Sequence, residues 1–281
     1  YQPGLSAGLG MDGAGLDRSG LGSAQVVAFR KVGNRVFAAF ENTRFRAVDA
    51  DADQVNAVAA SFSPSVVWSG EVVETGADGS VSVDLSGFLE RDAVNAVGRL
   101  KRARLGTFKA APTLGYLEAD QTLVFPDNVE FQTVQTFTSD EPGAELSRVS
   151  PESRSVTLTV RHSFIRLPDA GFQPVLHDPR SGTSAQVMVT DFAADLDQPV
   201  VSRLARRFRL EKTDPTAARS TVKKPIVFYV DRAAPPAIRQ ALIEGGDWWA
   251  QAFDKAGYVD AFRVELLPEG AHPMDARYNI V

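Results

Sequence analysis

Residues 225–267 read PIVFYVDRAAPPAIRQALIEGGDWWAQAFDKAGYVDAFRVELL, and the reading of this stretch decides the C-terminal architecture. PIVFYV is a compact apolar run suited to a strand buried on both faces. Residues 231–236 follow as a turn, with two prolines where a helix begins and the first amides have no partner to lose. Ile238, Leu242, Gly245, Trp249, Ala252 and Ala256 recur at steps of three or four, which predicts one helix ending at Gly257. Residues 262–267 form a second strand, and after a turn at 268–273 residues 277–281 begin a third. Strand, helix, strand in this order is a βαβ unit with a right-handed crossover.

Upstream the pattern changes. Residues 4–22 are rich in glycine and read as loop. Residues 26–30, 35–40 and 45–48 are short β-branched and aromatic runs split by turn residues, predicting a three-stranded meander. Residues 49–60 have a helical look, with Asp51 and Asp53 near the start, where the helix dipole favours acids. Residues 65–74 and 80–85 read as a hairpin closed by Gly76-Ala77-Asp78-Gly79. Residues 87–105 place Phe88, Leu89, Ala93, Val97 and Leu100 near one helical face, with Lys and Arg gathered at the end. Strands return at 129–137, 155–165 and 184–190, and Val156, Leu158 and Val160 alternate with Thr157, Thr159 and Arg161, as in a sheet with one wet face.

The expected fold class is therefore α+β. A glycine-rich leading segment (1–24) precedes a β-rich domain (25–211), a polar linker (212–223) and the βαβ unit (224–281). At 281 residues, 44% hydrophobic and 23% charged, the chain has the composition of packed globular domains. A net charge of -5 and acids scattered among the bases leave no basic footprint, so nucleic acid is not an expected partner. No apolar run reaches the length of a membrane span. Residues 1–20 lack the basic start and apolar core of a secretory signal. The absence of cysteine excludes disulfides and thiolate metal sites and leaves the compartment open.

The three histidines, His162, His177 and His272, are too far apart in sequence for the i, i+4 helical pair that binds zinc, and none is assigned to metal. No phosphate-loop motif is present, and Gly8-Leu9-Gly10 does not open a helix after a strand. Trp248 and Trp249 fit helix-on-sheet packing better than a ligand platform, with Trp249 on the apolar face and Trp248 turned away. No catalytic, cofactor-binding or metal residue is assigned in this chain.

The segment 225–281 resembles the beginning of the catalytic domain of bacterial met-zincin metalloproteases. GLDRSGLG (15–22), ENTRFRA (41–47), SFSPSVVW (61–68), FPDNVE (125–130), HSFIRLPDAGFQP (162–174), HDPRSG (177–182) and RFRLEKTDP (207–215) resemble, in order, the accessory domain that precedes it in that family. The chain departs from the family pattern at Ala111-Pro112-Thr113 and at His177. The resemblance implies a zinc-dependent endopeptidase in which an H-E-x-x-H helix and a further histidine hold the metal and the glutamate activates water. That helix lies downstream of the RYN-type strand at 277–281. The expectation is thus the N-terminal portion of a metallopeptidase, with zinc in the complete protein and none held by this chain alone. Its expected partners are the C-terminal catalytic part of the same protein, in the same or a cleaved chain, and a peptide or protein substrate. The expected location is periplasmic or extracellular. The alternative is a non-catalytic pro-region or protein-binding module that folds, inhibits or targets a partner.

Overall fold

The structure is a computed structural model that describes residues 1–11, 13–182 and 186–281. It is a strand-rich α+β protein, as the patterning predicts. The chain divides into two compact units. One comprises Tyr1–Val124, Val129–Ile165 and Met188–Ser202; the other comprises Phe125–Asn128, Arg166–Val187 and Arg203–Val281.

The first unit holds two main sheets. In the larger, the strands run in the order Gln2–Ala7, Ser155–Ile165, Asn128–Thr138 and Lys109–Ala110, with Tyr116–Leu117 and Leu123–Val124 also paired to Asn128–Thr138. Period-two alternation along Ser155–Ile165 turns Val156, Leu158 and Val160 to the core, where they meet Leu16, Leu100 and Phe137. The same period carries His162 inward, so this histidine is a core residue.

Part of the glycine-rich head corrects its reading as loop. Gln2–Ala7 is an edge strand, antiparallel to Ser155–Ile165, and Leu5, Leu9 and Leu16 are buried. Sparse leucines among glycines suffice here because the glycines let the backbone double back tightly. A β-carbon on Gly8 would stand 2.0 Å from the Leu16 carbonyl oxygen, a contact only glycine permits.

The second sheet orders Val27–Val32, Arg35–Phe40, Ser65–Thr75 and Val81–Val83. Its third strand is therefore Ser65–Thr75. Residues 45–48 leave the expected meander: Phe45–Arg46 instead pairs in parallel with Thr190 and Asp191, and the Phe45 ring stacks on Phe62 at 4.0 Å. Of the strand read at 184–190, residues 184 and 185 lie outside the described residues. The helix Ala52–Ser61 is capped by Asp51, whose Oδ1 accepts from the Gln54 amide at 2.9 Å.

The helix expected over 87–105 is broken into Ser86–Leu89 and Ala96–Arg102. Asp92 accounts for the break. Its carboxylate accepts from the Ala96 and Val97 amides at 2.5 and 3.0 Å, a local alternative to helical pairing, and Asn95 adopts left-handed φ of 54°.

The second unit contains a parallel sheet in the order Phe262–Leu266, Ile226–Val230, Asn279–Ile280. Residues 212–223 carry pairing of their own: Ser220–Thr221 runs parallel to Tyr258–Val259, and Lys212 bridges Val222. Among the described residues no helix is long and apolar enough to cross a membrane.

Candidate functional site

In the second unit, residues paired across a parallel ladder share a face, so Ile226, Phe228 and Val230 stand beside Phe262, Val264 and Leu266. Two helices pack on that face, Pro236–Asp247 and Ala250–Lys255. The sequence predicts one continuous helix here. The interruption falls just after Gly245-Gly246, where the low helical preference of paired glycines lets the chain tighten. The Trp249 and Ala252 amides donate to carbonyls three residues back, Gly246 and Trp249, at 3.1 and 3.0 Å.

The helical face also differs from the expected one. Gly246 rests against Val264, and its neighbours along the helix, Ile243 and Ala250, are partly covered, whereas Gly245 has open space above it. The row Ile238, Leu242, Gly245, Trp249 is turned about 100° from the contact line, one residue of helical rotation. Trp249 is 65% exposed and Trp248 75%, so neither lies between helix and sheet. The periodicity correctly identified an apolar row. The small Gly246 allows closer approach to the sheet than that bulky row does, and the helix settles on it.

The result is an apolar groove. Trp249 and Phe253 form a ridge with a hollow on either side. One, of about 570 Å³, is lined by Phe228, Leu242, Val264 and Val281; the other, of about 500 Å³, by Phe208, Ile226, Ala256 and Tyr258. Phe253 stacks on Phe262 at 5.4 Å and Phe208 meets Phe228 edge-on at 5.9 Å, so the ring positions are set by one another. Asp247 Oδ1 accepts from the Val264 amide at 2.8 Å, capping the outer strand. The edge strand Asn279–Ile280 is fed by a fixed turn. Arg277 grips buried Asp275 through both carboxylate oxygens, at 2.6 to 3.1 Å, and holds that carboxyl below its usual range. Asn128 clamps the same turn, donating to the Met274 carbonyl and accepting from the Ala276 amide, each at 2.9 Å.

The histidines occupy separate settings. His162 is fully buried, with Nδ1 at 2.8 Å from the Tyr1 hydroxyl and Nε2 at 3.1 Å from Thr133 Oγ1, and burial pushes it down to about 3, so it is neutral at pH 7. His272 is exposed and accepts from the Met274 amide through Nδ1. His177 is partly exposed, and its amide donates to the Arg203 carbonyl at 2.7 Å. Among the described residues no three His, Asp or Glu side chains gather as metal ligands do, so the positions present do not fit a zinc site. Gly4-Leu5-Ser6-Ala7-Gly8 spells G-x-S-x-G, but it lies on the strand Gln2–Ala7 and turns back toward Leu16 without entering a helix, unlike a nucleophile elbow.

A family model described as a domain of unknown function, DUF5117, matches residues 19–213. The chain belongs to the DUF5117 family. The DUF5117 match spans most of the first unit and stops before the parallel sheet that carries the groove. No curated protein and no solved structure matches the chain. Sequence reasoning did not single out the groove residues Phe208 and Phe253; they lie in the segments 207–215 and 225–281 but outside the apolar row of the helix, so periodicity gave no signal for them.

Proposed function

We propose that this chain is the N-terminal portion of a zinc-dependent metalloendopeptidase of the met-zincin type. Its groove receives the C-terminal, H-E-x-x-H-bearing part of the same protein. The uncovered apolar face around Phe228, Trp249 and Phe253 carries this reading. Parallel sheets are normally covered on both faces, and contiguous exposed apolar surface marks a place where further polypeptide packs. Further strands and a helix of a catalytic domain are what such a face accommodates, and the sequence strings at 15–22, 162–174 and 225–281 indicate the type of domain.

In this reading the chemistry resides in the C-terminal part. There the metal supplies Lewis acidity and activated water for peptide hydrolysis. The present residues contribute scaffold: the turn held by Asp275, Arg277 and Asn128 aims the edge strand Asn279–Ile280 along the sheet, and Trp249 and Phe253 form the seat. The substrate is a peptide or protein, and the location periplasmic or extracellular. Hydrogen exchange tests the seat. In the complete source polypeptide, amides of 238–253 should be more protected than in the 281-residue chain; equal protection would count against it.

A second reading, a non-catalytic pro-region or binding module, draws on the strand Val27–Val32, an outer strand with Phe29 and Val32 exposed. Such an edge accepts strand addition from a partner.

A further inference from the structure

A cavity of about 260 Å³ lies in the first unit between the chain start and residues 91–102, lined among others by Tyr1, Phe40, Asn95, Arg91, Arg99 and Arg102. Its volume far exceeds the share of one water, about 30 Å³. Three arginines line it, and none of the described residues lining it is acidic.

Arg91 is the central group. Its Nε donates to the Phe88 carbonyl at 3.1 Å, its guanidinium lies over the Phe88 ring at 4.1 Å, and its buried Nη2 has no hydrogen-bond partner among the described residues. Two polar side chains nearby are neutral. The Tyr1 phenol is pushed up to about 12 by burial, and His162 is held uncharged. Asp92, the adjacent carboxylate, is committed to the Ala96 and Val97 amides. Arg99 donates to the Gly15 and Leu21 carbonyls, which do not neutralise its charge. Arg102 is exposed. A partly buried cation with an unused donor is costly, and a planar guanidinium is suited to paired oxygens.

We infer that this cavity binds a small oxyanion, a phosphate or carboxylate group, held by a cationic wall of Arg91, Arg99 and Arg102. The break in the helix at 90–95 is what places Arg91 there. This inference is independent of the peptidase reading.

Titration calorimetry on the 281-residue chain, with inorganic phosphate and with succinate at ionic strength matched by chloride, tests it. Saturable one-to-one binding of either anion is expected, and the stronger of the two identifies the group. Arg91→Lys, which keeps the charge and loses the fork, should weaken binding about tenfold, and Arg102→Gln several-fold. If Arg91→Lys does not fold, Arg102→Gln decides. Absence of saturable heat with both anions, or binding unchanged in the folded variants, would overturn the site.

Discussion

Gly246 and Val264 touch so closely that a β-carbon on the glycine would stand 2.4 Å from Val264 Cγ2, while one on the adjacent Gly245 would meet nothing within 4 Å. This contact fixes how the helix Pro236–Asp247 sits on the sheet. Gly246→Ala should therefore destabilise the chain by about 1–3 kcal/mol, the usual cost of overpacking, and Gly245→Ala should be neutral or stabilising by up to about 1 kcal/mol through helix propensity. Urea melts of the two variants check it. Val264→Ala placed in the Gly246→Ala background should recover part of the loss.

Trp248 and Trp249 are both largely exposed. Replacing either with Ala in the 281-residue chain should change stability by less than about 1 kcal/mol, the range of surface substitutions, instead of the roughly 3–5 kcal/mol of a buried tryptophan. In the complete polypeptide Trp249→Ala should cost clearly more than Trp248→Ala, because only Trp249 lines the groove. Denaturant midpoints in the two contexts give the comparison, and equal small costs in both would remove Trp249 from the seat.

His162 gives stability a pH dependence of predictable sign. Its folded value of about 3 lies below the ordinary 6.5, so between these values the unfolded chain binds more protons than the folded one. The neutral imidazole's contribution is thus intact above pH 6.5 and lost progressively as pH falls toward 3, by at most about 1.4 kcal/mol per pH unit. His162→Gln should flatten the dependence over that window, read from melts at pH 7.5, 5.5 and 4.5. An unchanged slope would mean that other groups carry it.

The peptidase reading also fixes where zinc should not be. The isolated 281-residue chain should hold no stoichiometric zinc after dialysis, by elemental analysis. One tightly held zinc per chain would require ligands among His162, His177 and His272 that their described positions do not bring together.

The extent to which the sequence disclosed this fold follows physical lines. Period-two runs such as 155–165 and the turn at Gly76 to Gly79 were legible because burial and turn geometry act on neighbours in sequence. The strand–helix–strand order at 225–267 was legible for the same reason. The pairing of Arg35–Phe40 with Val27–Val32 was legible as well, but its second partner, Ser65–Thr75, was not, since that strand choice depends on contacts distant in sequence. Nor was the rotation of the helix at 236–247, which turns on a single glycine meeting Val264. The break after Leu89 was masked by apolar residues at helical spacing on both sides, Phe88 and Leu89 before it and Val97 and Leu100 after, and depends on the Asp92 carboxylate turning to two amides. The groove was half legible: its apolar row is written in the periodicity, but periodicity does not say which polypeptide covers it.

Zinc content and peptide hydrolysis of the complete source polypeptide, measured together on one preparation, test the central claim most directly. The account predicts an intact mass well above 30.3 kDa, about one zinc per molecule, and hydrolysis of an unstructured protein substrate that a chelator abolishes and zinc restores. A folded source polypeptide without zinc, with no hydrolysis in the presence of added zinc, would contradict it.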